Sequence, residues 1–159
     1  MAFAAGYWAV HSLHSRVIGY FACDMVYRAG QTHFYGAGTA DPLRHDVSLR
    51  SLEAKATRLF CWGLKHGKIL LNCSGDNETR LVFPRVSLSA LRNFKPKSHA
   101  WSLLLERAEK IWDFEKEAPF DALKEDYWTL VGSATEEEFI AEVDRRWLSL
   151  APLIGDCAA

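Results

Sequence analysis

Short aromatic and β-branched runs fill the N-terminal part of the chain, and apolar residues at helical spacing dominate after it. Gly6–His14 reads as a first strand with Tyr7, Trp8 and Val10 as its apolar content. Arg16–Arg28 (RVIGYFACDMVYR) reads as a second, rich in side chains that suit a pleated surface. Ala29-Gly30-Gln31 form a turn, and Thr32–Ala37 (THFYGA) is a third strand closing a hairpin with the second. Gly38–Val47 is a loop with glycine, aspartate and proline.

Ser48 is a candidate N-cap for a helix from Leu49 to Lys65. Leu49, Leu52, Ala56, Leu59, Phe60 and Gly63 share one face of it. His66-Gly67 ends that helix. Lys68–Cys73 (KILLNC) is a continuous apolar run after a helix, which predicts a buried parallel strand. Ser74-Gly75-Asp76-Asn77 make a turn, and Glu78–Val86 is a short helical stretch cut at Pro84. Ala100–Phe114 is a helix with Trp101, Leu104, Leu105, Ala108, Ile111 and Trp112 at helical spacing. Glu115–Asp126 is an acidic loop containing Pro119, and Tyr127–Val131 a last strand. Thr135 caps a final helix with Glu138 in the capping-box position; Phe139, Ile140, Val143, Trp147 and Leu150 line its buried face.

The order is β-β-β-α-β-α-α-β-α. It predicts an α/β fold, a mixed five-stranded sheet with helices on its faces, in a single domain over residues 1–159. Strands one to three would be antiparallel. The strands at Ile69–Leu71 and Trp128–Val131 would run parallel to the first.

Composition refines this picture. A chain of 159 residues with 49% apolar content, six tryptophans and nine phenylalanines can bury a real core. The formal net charge of −1 leaves no overall basic excess, so a nucleic-acid surface would have to be local. The most basic stretch holds Arg85, Arg92, Lys95 and Lys97, with Phe94 and Trp101 among them. Such residues can follow a phosphate backbone and stack on bases, although a solvated loop reads the same way. Four scattered cysteines without a CxxC spacing suit buried free thiols in a reducing cytoplasm. The N-terminus lacks a basic region, its apolar run breaks at His11, and no run is long enough to span a bilayer.

Three acids carry the candidate chemistry. Glu53 lies at the margin of its helix's apolar face, Asp76 just after an apolar strand, and Asp144 on the flank of the last helix. Carboxylates on the flanks of elements packed on one sheet can converge on Mg²⁺ or Mn²⁺, hard ions that take oxygen ligands. Each also has a plain structural reading: a helix-dipole acid, a turn residue, and a solvated acid beside Arg145 and Arg146. His11, on a strand between apolar neighbours, reads more readily as a satisfied core or edge histidine than as a ligand.

Two long segments, LRSLEAKATRLFCWGLKHGKILLNCSGDNETRLV and YWTLVGSATEEEFIAEVDRRWLSLA, resemble the ribonuclease H-like family. The first matches its acid-bearing helix, parallel strand and following acid, and the second its last strand, glycine turn and terminal helix. FKPKSHAWSLLLERA resembles the basic, tryptophan-containing stretch of some members. The resemblance implies catalytic roles for Glu53, Asp76 and Asp144 as metal-binding carboxylates. His11 stands where the family has its first-strand aspartate, and Gly132-Ser133-Ala134 where it has a mobile histidine. Asp24 replaces the missing acid only if the first strands are placed differently. The implied function is nucleic-acid binding with a weak metal-dependent nuclease activity on RNA or an RNA/DNA hybrid. His11→Asp would complete the site. The alternative is a catalytically inactive adaptor or an inhibitor- or immunity-type protein that binds another protein, which the acidic Glu115–Asp126 segment suits.

Overall fold

The computed structural model describes residues 2–26, 51–75, 78–95, 101–118 and 134–155. Their order is α1 (Ala2–Ser12), β1 (Val17–Tyr20), α2 (Leu52–Lys65), β2 (Ile69–Asn72), α3 (Leu88–Leu91), α4 (Trp101–Glu115), α5 (Ala134–Leu148) and α6 (Ala151–Ile154). The mixed five-stranded sheet is not what forms. Helices take up 58% of the described residues, and the only sheet among them is a parallel pair. The expected strands Thr32–Ala37 and Tyr127–Val131 lie outside the described residues.

The first correction is α1. Gly6–His14 was expected to be a strand, yet the chain is helical to Ser12. Burial falls on Gly6, Ala9 and Val10, a spacing of three and four that only a helix gives. Ala2, Ala4, Ala5 and Ala9 add the best helix-forming side chains. The second strand is also shorter than expected. β1 stops at Tyr20, and Ala22 and Met25 adopt left-handed backbone angles (φ 54° and 56°) that end any extended run.

β2 is the buried strand that KILLNC predicts, with all four residues buried, but it runs parallel to the second run of the chain and not to the expected first strand, which is helical. Its partner is β1, with Val17 opposite Ile69 and Tyr20 opposite Asn72. On its other side, Asn72 makes a parallel bridge to Arg85: Asn72 N donates to Pro84 O at 2.9 Å and Val86 N to Asn72 O at 3.0 Å. The stretch from Glu78 to Pro84 forms no helix, contrary to the expectation. Proline is tolerated there because its carbonyl, not its missing N–H, meets the neighbour.

α2 is the central element, in contact with α1, β2, α4, α5 and α6. Ser51 caps it by accepting from Ala54 N at 3.1 Å, in place of the expected Ser48, which lies outside the described residues. Its end follows the chemistry of HG: Lys68 N reaches Gly63 O and Gly67 N reaches Leu64 O, both at 2.9 Å, with Gly67 at φ 69°. Gly63 lets α2 lie against β2, since a Cβ there would strike Leu70 Cδ1. α5 begins at Ala134, so Thr135 sits inside the helix rather than capping it. Leu59, Phe60, Leu71, Leu104, Trp147 and Ile154 belong to one buried cluster.

Candidate functional sites around helix α2

Glu53 lies in the first turn of α2, where its charge suits the helix dipole. Its carboxylate faces a guanidinium: Arg80 Nε reaches Oε1 at 2.6 Å and Arg80 Nη2 reaches Oε2 at 2.9 Å. This two-point bond, opposed by partial burial, holds the Glu53 carboxyl below the usual carboxylate range. A depressed carboxyl stabilises the fold above its unfolded value and loses that contribution as pH falls. Stability of the natural protein should therefore decline from about pH 4.5 downward. In Glu53→Gln that part of the acid limb should be missing in urea titrations between pH 6 and pH 3. Superimposable pH profiles for the two proteins would count against the pair. Both side chains are a third exposed, so the effect is a fraction of a fully buried pair's.

His11 is on α1, not on a strand, and it meets the other end of α2. Its Nε2 accepts from Trp62 Nε1 at 3.1 Å, and its ring lies 4.9 Å from that of His66. At 1.5 Å per residue, Trp62 is roughly 13 Å along the helix axis from Glu53. His11 therefore lies away from Glu53, and His11→Asp would not complete a site with it. Asp144 lies half-buried on α5. Asp76 is outside the described residues. Among the described residues no three His, Cys, Asp or Glu side chains form a group able to hold a metal ion.

Asp24 follows the true first strand. Its carbonyl accepts from Arg80 N at 2.9 Å, and its buried Oδ1 has no hydrogen-bond partner among the described residues. The neighbouring Cys23 thiol is pushed up by burial and by Asp24, which disfavours the reactive thiolate.

The basic stretch divides. Arg85, Arg92 and Lys95 are exposed, and Arg85 Nη2 also donates to Ser74 O at 3.2 Å. Lys97 lies outside the described residues. Trp101 is only 8% exposed and belongs to the core, so its ring is not offered to a base.

A network around Arg58 carries no signal in the sequence. Arg58 donates from Nε and Nη2 to the Glu115 carboxylate and from Nη1 to the Tyr7 hydroxyl at 2.9 Å. Trp147 Nε1 donates to Glu115 Oε1 at 2.7 Å. Burial works to lower the Arg58 guanidinium, but Glu115 and Tyr7 outweigh it and raise it. The network ties α1, α2, α4 and α5 together. Beside it opens a cleft of about 420 Å³ lined by Trp62 and Trp112 and by the pairs Lys65–Glu109 and Lys116–Asp113. Those charges cancel, so the cleft favours neither sign of ligand.

No family model, no curated protein and no solved structure matches the chain. Among the described residues no helix is long and apolar enough to cross a membrane.

Proposed function

We propose that the chain is a binding protein of the adaptor or inhibitor kind that docks another protein on the outer face of α1. The observation that carries this reading is Trp8, 62% exposed at the middle of that face. Ala4 and Ala5 lie on the same face, and Leu13 follows the helix at 41% exposure. α1 has no acid, lysine or arginine. A large aromatic ring in an uncharged surround is the usual anchor of a protein interface. The free thiols of Cys23, Cys61 and Cys73 support a reducing compartment, the cytoplasm.

A second reading is nucleic-acid binding. Arg85, Arg92 and Lys95 are exposed around α3, where Leu88 is 57% exposed. A metal-dependent nuclease with Mg²⁺ or Mn²⁺ at Glu53, Asp76 and Asp144 would require Glu53 to leave Arg80. Docking on α1 requires no exchange. The readings separate in one comparison, in which the natural protein, Trp8→Asp and an Arg92→Gln/Lys95→Gln variant are used to capture partners from cells that make the protein. A protein retained by the basic-site variant and lost by Trp8→Asp supports docking. RNA or hybrid bound by the natural protein in a salt-sensitive way, kept by Trp8→Asp and lost by the basic-site variant, replaces it with the second reading.

A further inference from the structure

We infer that His11 and His66 form a two-imidazole site for a borderline-soft divalent cation of the Zn²⁺ class. Both side chains are exposed, one in the last turn of α1 and the other capping the end of α2. Their ring centroids are 4.9 Å apart. An ion about 2.0–2.1 Å from one nitrogen of each ring, at a tetrahedral angle, sets two imidazole centroids about 5 Å apart. The rings already stand at the separation that a shared ion needs.

Hydrogen bonds fix which nitrogens are available. A carbonyl only accepts, so His66 Nδ1 donates to Trp62 O at 2.9 Å and leaves the Nε2 lone pair free. A backbone carbonyl on the non-ligating nitrogen is the arrangement that orients metal-binding imidazoles. An indole N–H only donates, so the His11 Nε2 lone pair is directed at Trp62 Nε1. An ion takes that lone pair by displacing the indole N–H, whose bond to His11 is solvent-exposed. The surroundings also favour a cation. The C-terminal ends of α1 and α2 meet here, and each presents the negative pole of its dipole. Lys68 opposes this, but its ammonium is turned to the Val10 and Leu13 carbonyls at the end of α1. Imidazole nitrogen suits Zn²⁺, Ni²⁺ or Cu²⁺ better than the hard ions expected at carboxylates. With two protein ligands, water completes the coordination, so the site exchanges its ion readily.

The test is titration of the whole chain with Zn²⁺ alone, followed by calorimetry and by tryptophan emission. Trp62 is the reporter, at 4.6 Å from the His66 ring and 5.8 Å from His11. The expected result is one ion per chain and a saturable change in emission. His11→Ala and His66→Ala should each weaken binding roughly tenfold or more. His66→Asn, which still suits a helix C-terminus, should weaken it equally and exclude a folding defect. His14→Ala should leave it unchanged, and Trp62→Phe should keep the calorimetric signal because it frees His11 Nε2. No saturable binding overturns the proposal, as does equal affinity in either His11→Ala or His66→Asn.

Discussion

Trp147→Ala is expected to cost about 4 kcal/mol, the range seen when a large core aromatic is truncated. The side chain is 1% exposed, and its ring lies 5.5 Å from that of Trp112. The loss goes beyond volume. Trp147 Nε1 is one of the donors that hold Glu115 against Arg58, so truncation also loosens the joint between α2, α4 and α5. Trp147→Phe keeps part of the packing but loses that bond and some ring volume, so it should cost less than the alanine change, about 1–3 kcal/mol. Urea unfolding gives both values. A cost below about 1 kcal/mol for Trp147→Ala would mean that α5 does not close the core.

Gly6→Ala carries the second large effect, and its sign separates two contributions. On an exposed helix the change stabilises by up to about 1 kcal/mol through propensity. Here the new methyl would strike the Tyr20 hydroxyl and come within 2.6 Å of Leu59 Cδ2. Overpacking of this kind costs about 1–3 kcal/mol or more, so packing outweighs propensity. The Tyr20 hydroxyl is buried with no hydrogen-bond partner among the described residues, and burial pushes its pKa up to about 12. Tyr20→Phe should therefore be neutral or stabilise by about 1 kcal/mol. In the Tyr20→Phe background, Gly6→Ala should recover part of its cost and keep the part due to Leu59. If Gly6→Ala stabilises the protein in either background, Gly6 does not lie against Tyr20 and Leu59 as these contacts place it.

How far the sequence could be read depends on whether a pattern was local. KILLNC carries three consecutive apolar residues, Ile69, Leu70 and Leu71, the kind of short run that a strand covered on both faces uses. α2, α4 and most of α5 show their faces through 3.6-residue spacing. GYWAV is too short for its apolar content to distinguish a period of two from one near four. The alanines around it held the better signal. Phe21 and Val26 favour a longer second strand, whereas Ala22 and Met25 take left-handed angles that their side chains do not announce.

The candidate site was less legible for a different reason. A glutamate on the margin of a helix looks the same in sequence whether it meets a metal or a guanidinium. Glu53 meets Arg80, 27 residues away, and Arg58 meets Glu115, 57 residues away. Neither pairing has a local pattern. His11 joins the carboxylates only if its segment is a strand. As part of a helix, it belongs with Trp62 and His66 at the far end of α2.

The central claim is that the outer face of α1 binds a protein and that Trp8 anchors it. The most direct measurement is the calorimetric affinity of the captured partner for the natural protein and for Trp8→Asp. An aromatic hot spot predicts a loss of about 2 kcal/mol or more, roughly thirtyfold in affinity, with thermal stability little changed. Equal affinities in two equally folded proteins would contradict the account.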